Sequence, residues 1–457
     1  MSKKIIFIFL IAFLIRLIAL NQSLWLDEGT TARVVSQYNY SEILTKFSPH
    51  DFHPPLYYLF LKGWTGIFGY SEITLRMPSV LFSLLTGYLV YLLGGVWAAI
   101  FFLFNPLIIY YSQEARMYMM MTLFTTAGIY YMLKSLSVNE LTSYGLKNQK
   151  LKIKDQNDNS KFKYILFMNL FFILSFYTFY GSIFLIMAMF IYFLYKKQCK
   201  FFLFSLFIFL FSFILISPLL YQQLVNAKVS LTAVTNWSLV LGKANLKNLL
   251  LIPIKFSIGR ISFYPKWLYW GIAGIWTTFI WLFVLIQKLK VKSLLFLLLF
   301  PLILGFIVSF FVPMLQYFRF LFLIPIMAII LASANVSTCL SAGRYIAIIG
   351  FVVFSSAYLL LPQFHREDWK SLVRSLPKDK PVYMILASSD PVKYYNRSLK
   401  VLRLESLKES KENNIIVVPY TAEIYGFDYQ KILKEKNYRL TDKKTFRGLV
   451  LEQYSKQ

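Results

Sequence analysis

Apolar residues fall in long unbroken runs, and these runs, more than any short period, define the elements of the chain. Runs at 5–22, 77–94, 96–111, 117–134, 162–179, 181–195, 201–220, 268–287, 293–311, 317–333 and 344–361 are each about as long as a helix that crosses a bilayer. Polar or mixed stretches separate them at 21–76, 135–163 and 221–267, and a mixed tail covers 362–457. The first run follows Lys3 and Lys4, as a signal peptide would. It carries Arg16, however, and has no small-x-small site before Asn21, so it is expected to remain as a membrane helix. In the tail, an Arg-Glu-Asp-Trp turn at 366–369 opens a short helix, β-type runs follow at 381–387 and 414–418, and a polar helical stretch lies at 428–437. That alternation predicts a small α/β domain. The pattern as a whole predicts a polytopic α-helical membrane protein. It has about eleven transmembrane helices in 1–361 and a small C-terminal extracytoplasmic α/β domain in 362–457.

Composition supports this reading. Apolar residues make up 58% of the chain and charged residues 15%, against about 45–50% and 25% in soluble domains. A soluble enzyme and a disordered chain are both excluded. The net charge of +27 could indicate nucleic acid, but the positive-inside rule and attraction to anionic membrane lipids account for it more simply. No nucleic-acid partner is expected. Lysines in 135–163, at 196, 197 and 200, and at 288, 290 and 292 mark loops of one parity as cytoplasmic. The N-terminus is then inside the cell membrane, and 21–76, 221–267 and 362–457 are outside. Cys199 and Cys339 are the only cysteines, too few for a disulfide framework or a cysteine-rich metal site.

The acids narrow the chemistry further. Of 21 carboxylates, twelve lie in the tail and three in the lysine-rich linker, and none falls between Ser160 and Arg366. Asp27, Glu28, Glu42, Asp51, Glu72 and Glu114 remain, and all map to the outer face, as do His50, His53 and His365. Polar chemistry therefore belongs at the outer membrane surface. Asp27-Glu28 follows the first span and reads either as a helix start, with Asp27 as cap of an interfacial helix near 29–46 and Glu28 against its dipole, or as a base. Asp51-Phe52-His53-Pro54-Pro55 is a rigid loop that either presents Asp51 and His53 or simply starts the amphipathic stretch 56–68. Gln113-Glu114-Ala115-Arg116-Met117-Tyr118 is an outer hairpin whose Glu114 and Arg116, two apart, face different partners. Its alternative is a polar turn with a tyrosine belt. Arg319 at an outer helix end either clamps a phosphate or snorkels to headgroups.

Taken together, Leu24-Trp25-Leu26-Asp27-Glu28, His53-Pro54-Pro55-Leu56-Tyr57-Tyr58, Leu75-Arg76-Met77-Pro78-Ser79, Tyr111 to Tyr118, Arg319 and Arg366-Glu367-Asp368-Trp369 resemble the C superfamily of membrane glycosyltransferases, which use polyprenyl-phosphate sugars. The nearest branch resembles the protein mannosyltransferases and the bacterial lipid A aminoarabinose transferase. The resemblance implies an inverting transfer on the outer face, from a polyprenyl-phosphate sugar donor to a lipid, glycan or protein acceptor. It implies Asp27 as base, Glu28 as its positioning partner and Glu114 as second acid of the cleft. Asp51 and His53 would line a substrate pocket with Tyr118, and Arg319, with Arg116 or Arg76, would neutralise the leaving phosphate. No cofactor is certain. Some members use a divalent metal, and the few acids and histidines above would have to supply it, so no metal ligands are assigned. In many relatives a histidine follows a Tyr-Thr pair where this chain has Phe179. The competing readings are a transporter or flippase of lipid-linked substrates and a non-catalytic scaffold of the cell envelope. The absence of an internal repeat counts against the first.

Overall fold

The structure, a computed structural model, describes residues 3–135, 158–286, 292–333, 338–377 and 380–457. It is mostly helical with a small C-terminal sheet. Among the described residues, Glu72–Leu103, Cys199–Thr232, Lys266–Ile286 and Ala342–Leu360 are long and apolar enough to cross a membrane. Tyr180–Tyr195, Lys292–Val308 and Tyr317–Ala332 are shorter apolar helices. On the Cys199–Ala233 helix, Phe207, Ile214 and Leu215 are each at least 65% exposed. Large side chains this bare on an apolar helix suit lipid rather than water. The expected cytoplasmic loop 135–163 falls, for 136–157, outside the described residues.

Element boundaries depart from the expected ones where backbone chemistry outweighs apolar run length. The runs 77–94 and 96–111 were expected as two spans with a join at Gly94-Gly95. The break falls at that join, at Gly95, whose φ of 74° is the left-handed conformation glycine adopts without a Cβ clash, but helix begins earlier, at Glu72, and ends earlier, at Leu103. Asn105 then caps a separate helix, Pro106–Ser112, by accepting from the Leu107 and Ile108 amides. The interfacial helix expected near 29–46 is shorter and starts earlier, at Leu26–Gln37. It is followed by the brief turns Tyr40–Glu42, Ile43–Phe47 and Ser48–His50. Leu56–Phe68 starts directly after Pro55, as expected.

Arg16 is fully buried in the first helix, Lys3–Leu17. Among the described residues no acid pairs with it, and its guanidinium donates to Ser83 Oγ and to the Ala12 and Leu103 carbonyls at 2.8–2.9 Å. A buried cation is tolerable when its donors are filled in this way.

Five strands form the C-terminal sheet: β1 Val382–Met384, β2 Val401–Arg403, β3 Asn414–Val418, β4 Tyr438–Phe446 and β5 Leu449–Lys456, in the order β2-β1-β3-β5-β4. β1 is parallel to β2 and β3, whereas β5 is antiparallel to β3 and β4. Side chains alternate between two cores. Val382, Met384, Ile416 and Val418 join Trp369 on one face, and Tyr383, Ile415 and Val417 join Leu433 on the other. The β4–β5 hairpin is absent from the sequence reading. β4 is an edge strand exposed from Arg439 to Thr445, so the apolar alternation that would reveal a strand is missing from it.

Candidate active site at the mouth of the helices

The site grows from the first turn of Leu26–Gln37. Trp25, not Asp27, is the N-cap residue, so the expected capping role of Asp27 is not what the structure shows. The Glu28 carboxylate, three residues into the helix, accepts the Trp25 amide at 3.4 Å. The Asp27 side chain is free of that task. It is 38% exposed and lies 3.6 Å from Arg116 Nη2.

Glu28 is fully buried and held by Arg76 in a two-pronged pair, Nε to Oε1 at 2.8 Å and Nη2 to Oε2 at 2.6 Å. The other Arg76 donors reach the carbonyls of Leu20, Gln22 and Ser23 at 2.6–3.0 Å. Every guanidinium donor is thus occupied by the protein itself. Burial works to raise the Glu28 carboxyl, but Arg76, Arg366 and the Ala115 amide outweigh it and hold the group below its ordinary range.

Glu114 sits in the turn 113–117 between Pro106–Ser112 and Tyr118–Ser135. Arg366 Nη2 donates to its Oε2 at 2.8 Å, while Oε1 is buried without a hydrogen-bond partner. Burial, reinforced by the neighbouring Glu28 and opposed by Arg366, raises its carboxyl to about 7. Arg116, two residues on, turns the other way. Its Nη1 donates to Tyr58 Oη at 3.1 Å, and its Nε is buried and unpartnered.

The loop after His50 brings Asp51 Oδ1 to 3.3 Å from His53 Nδ1. Burial tends to raise Asp51, but His53 and Arg116 hold it below the usual carboxylate range. The His53 ring stacks on Phe179 at 6.1 Å, Phe179 meets Tyr118 at 6.0 Å, and Tyr118 meets Phe318 at 5.5 Å. Arg319 flanks that last ring at 5.9 Å. One aromatic wall therefore joins the His53 loop to Arg319, and Phe179, standing where relatives carry a histidine, is part of it.

Asp27, Arg116, Asp51 and His53 thus form one group, and Tyr118 with Arg319 lies along its wall. Glu28, Arg76 and Glu114 lie behind it, committed to protein partners. Two cations received no role in the sequence reading. Arg260 donates to Tyr110 Oη at 2.8 Å, and Arg366 pairs with Glu114. Both line a cavity of about 300 Å³ with Trp25, His365 and Arg447. A signal for Arg366 was present: it opens one of the matching motifs, and buried acids need counter-charges. Among the described residues, no three His, Cys, Asp or Glu side chains gather as a metal site. Glu28 and Glu114, the buried acids nearest the group, are taken up by arginines.

No family model and no curated protein matches the chain. Solved structures do. ArnT from Cupriavidus metallidurans in the apo state aligns with a TM-score of 0.58 at 12% identity, over 98% of this chain and 97% of that one. ArnT from the same organism bound to undecaprenyl phosphate aligns with a TM-score of 0.57 at 12% identity, over 99% and 98%. The fold is therefore the multi-pass membrane fold of ArnT along essentially the whole chain. At the level of fold, this bears out the resemblance carried by the motifs.

Proposed function

We propose that the chain is an integral-membrane glycosyltransferase. It moves a sugar from a polyprenyl-phosphate donor to an acceptor on the outer face of the membrane, with inversion at the anomeric carbon. The observation that carries this reading is the partly exposed Asp27 carboxylate 3.6 Å from buried Arg116, in a fold shared with a protein crystallised with undecaprenyl phosphate. The arrangement of about eleven spans, the boundary at 361/362, the cytoplasmic N-terminus and the extracytoplasmic tail belong to the same proposal.

In this mechanism Asp27 accepts the proton of the acceptor nucleophile. The nucleophile attacks the anomeric carbon, and the bond from that carbon to the phosphate oxygen breaks on the opposite side. The electron pair leaves with the polyprenyl phosphate. The growing charge on that oxygen needs cations already in place. Arg319 and Arg116 meet it, with Arg260 added from the structure. Asp51 and His53 line the sugar or acceptor pocket, with Tyr118 in its wall. Glu28 and Arg76 hold the Asp27 helix rather than touch substrate, and Glu114 stands behind Arg116. No step requires a cofactor.

The test is transfer by purified protein from a synthetic polyprenyl-phosphate sugar, followed as release of polyprenyl phosphate. Sugar-dependent release is the expected result. Donor binding with no release under any acceptor supply would overturn the enzymatic reading and favour a carrier or scaffold. In a working assay, Arg319→Met keeps the apolar stem and removes the charge, so kcat should fall about 10²-fold or more. Unchanged turnover and unchanged donor affinity would return Arg319 to a headgroup-snorkelling role.

A further inference from the structure

The four residues from Gln113 to Arg116 are fixed from several directions. The Gln113 side chain donates to the Arg16 and Ile18 carbonyls at 2.9 and 2.6 Å. The Glu114 carbonyl accepts from Ser79 Oγ, and the Ala115 amide donates to Glu28 Oε1 at 2.8 Å. Further ties come from one side chain that lies beyond the last membrane helix. Arg366 Nη1 donates to the Gln113 carbonyl at 2.6 Å, and Nη2 donates to Glu114 Oε2 at 2.8 Å. The same guanidinium stands 4.0 Å from Glu28 Oε1 and 4.4 Å from the centre of the Tyr110 ring. Arg366 is only 4% exposed.

Its backbone is gripped from both sides. The Arg366 amide donates to Gln22 Oε1 at 3.2 Å, in the segment that follows the first helix. Its carbonyl accepts Arg447 Nε at 2.6 Å, from the turn between β4 and β5, and the Arg447 carbonyl accepts the Asp368 amide at 2.9 Å.

We propose that Arg366 is a positioning residue: by bridging Glu114 and Glu28 it sets the turn that holds Arg116 against Asp27, and so couples docking of the C-terminal sheet to assembly of the reacting group. The proposal rests on the reading of Asp27 as base and deepens it. Removing the Arg366 guanidinium takes away the donors to the Gln113 carbonyl and to Glu114 Oε2, and leaves buried acceptors unpaired. The turn would relax to satisfy them. A shift of even about 1 Å at a group near the chemistry can cost about 10²-fold in rate.

The experiment compares wild type, Arg366→Lys, Arg366→Gln, Glu114→Gln and the Arg366→Gln/Glu114→Gln pair. Two readouts are used: steady-state transfer and hydrogen–deuterium exchange. Arg366→Gln should lower kcat about 10–100-fold with donor KM unchanged, and Arg366→Lys, which keeps one charge beside Glu114, should restore part of it. The double variant should be no worse than Arg366→Gln alone, because the two residues act as one unit. Exchange should quicken at 113–116 and stay as in wild type across β1, β3 and β5.

Additive losses, or a fall in donor affinity with kcat intact, would overturn the proposal. So would unchanged exchange at 113–116. If Arg366→Gln does not fold, Arg366→Lys decides by the same exchange window. If wild type itself transfers nothing, the glycosyltransferase reading fails, and the exchange data alone settle whether Arg366 sets the turn.

Discussion

Asp27 and Glu28 are adjacent in sequence, yet they play unlike parts because one step along a helix turns a side chain by about 100°. Glu28 faces inward onto Arg76, whereas Asp27 faces the mouth of the site. Asp27→Asn keeps size and most hydrogen bonding, so the fold should survive. Transfer should drop about 10²–10⁴-fold, the usual contribution of a general base, while donor binding persists. Near-wild-type transfer by folded Asp27→Asn protein would remove Asp27 from the mechanism. Glu114 gives a prediction in pH. Its carboxyl is raised by burial to about 7 from an ordinary 4.5, against the pull of Arg366, Arg260 and Arg116. A carboxyl raised on folding binds its proton more tightly in the folded state. Its contribution to stability is complete below about 4.5 and is lost as pH rises to about 7. Glu114→Gln should remove this slope, so the Tm difference between wild type and variant should change across that pH interval; a constant difference would contradict it. The sequence narrowed the candidate acids to six, because the supply was so small. Which of them are buried against arginines depends on residues as distant as Arg76 and Arg366, and no local pattern carries that information.

Among elements, the helix that bears Asp27 is held against the C-terminal sheet by a second helix, Asp390–Tyr395. Arg33 pairs with Asp390 at 2.9 Å, and the Leu24 amide donates to Tyr395 Oη at 2.8 Å. Between them Pro391 lies so close over Gly29 that a Cβ there would sit 2.7 Å from the proline Cγ and nitrogen. Neither backbone nor ring can yield cheaply. Gly29→Ala should therefore cost about 1–3 kcal/mol, seen as a lower Tm and as protease sensitivity in the segment around Pro391. Gly66→Ala, with nothing within 4 Å of its Cβ inside the helix Leu56–Phe68, is the control: it should lower neither, and the better helix propensity of alanine should raise the Tm slightly. Equal behaviour of the two variants would show that the contact is slack. The short helix after Asp368, the helix Tyr429–Glu435 and strands β1 and β3 were legible from local signals. The break at Gly95 was legible as well, as the join at Gly94-Gly95 between two apolar runs. The new helix at Asn105-Pro106 lay inside an unbroken apolar run, where hydropathy is blind to capping chemistry.

At the scale of the whole molecule, the proposed topology places 362–457 outside the cell membrane and the lysine-rich linker inside. Ser398 is exposed on the C-terminal unit. In a Cys199→Ser/Cys339→Ser background, Ser398→Cys should react with an impermeant thiol reagent in intact cells. Ser160→Cys should react only after permeabilisation. The reverse pattern would invert the topology. Long apolar runs made the class of fold readable from the chain alone, because a bilayer demands length and hydropathy before anything else. The joining of tail to membrane helices was not readable, since it rests on single polar contacts such as Lys370 to Glu72 at 2.9 Å.

The Arg366–Glu114 pair has a consequence for the order in which the molecule becomes complete. A ribosome makes Glu114 about 250 residues before Arg366, which at 5–20 residues per second is a wait of roughly ten to fifty seconds. Throughout that interval the nascent chain already carries Asp27 and Arg116 at the membrane, but the turn between them lacks its last brace. On the proposed mechanism, competence therefore waits for Arg366 to be made and docked. A chain cut short by a premature stop just before residue 366 should then transfer sugar no better than Arg366→Gln, because it lacks the same brace.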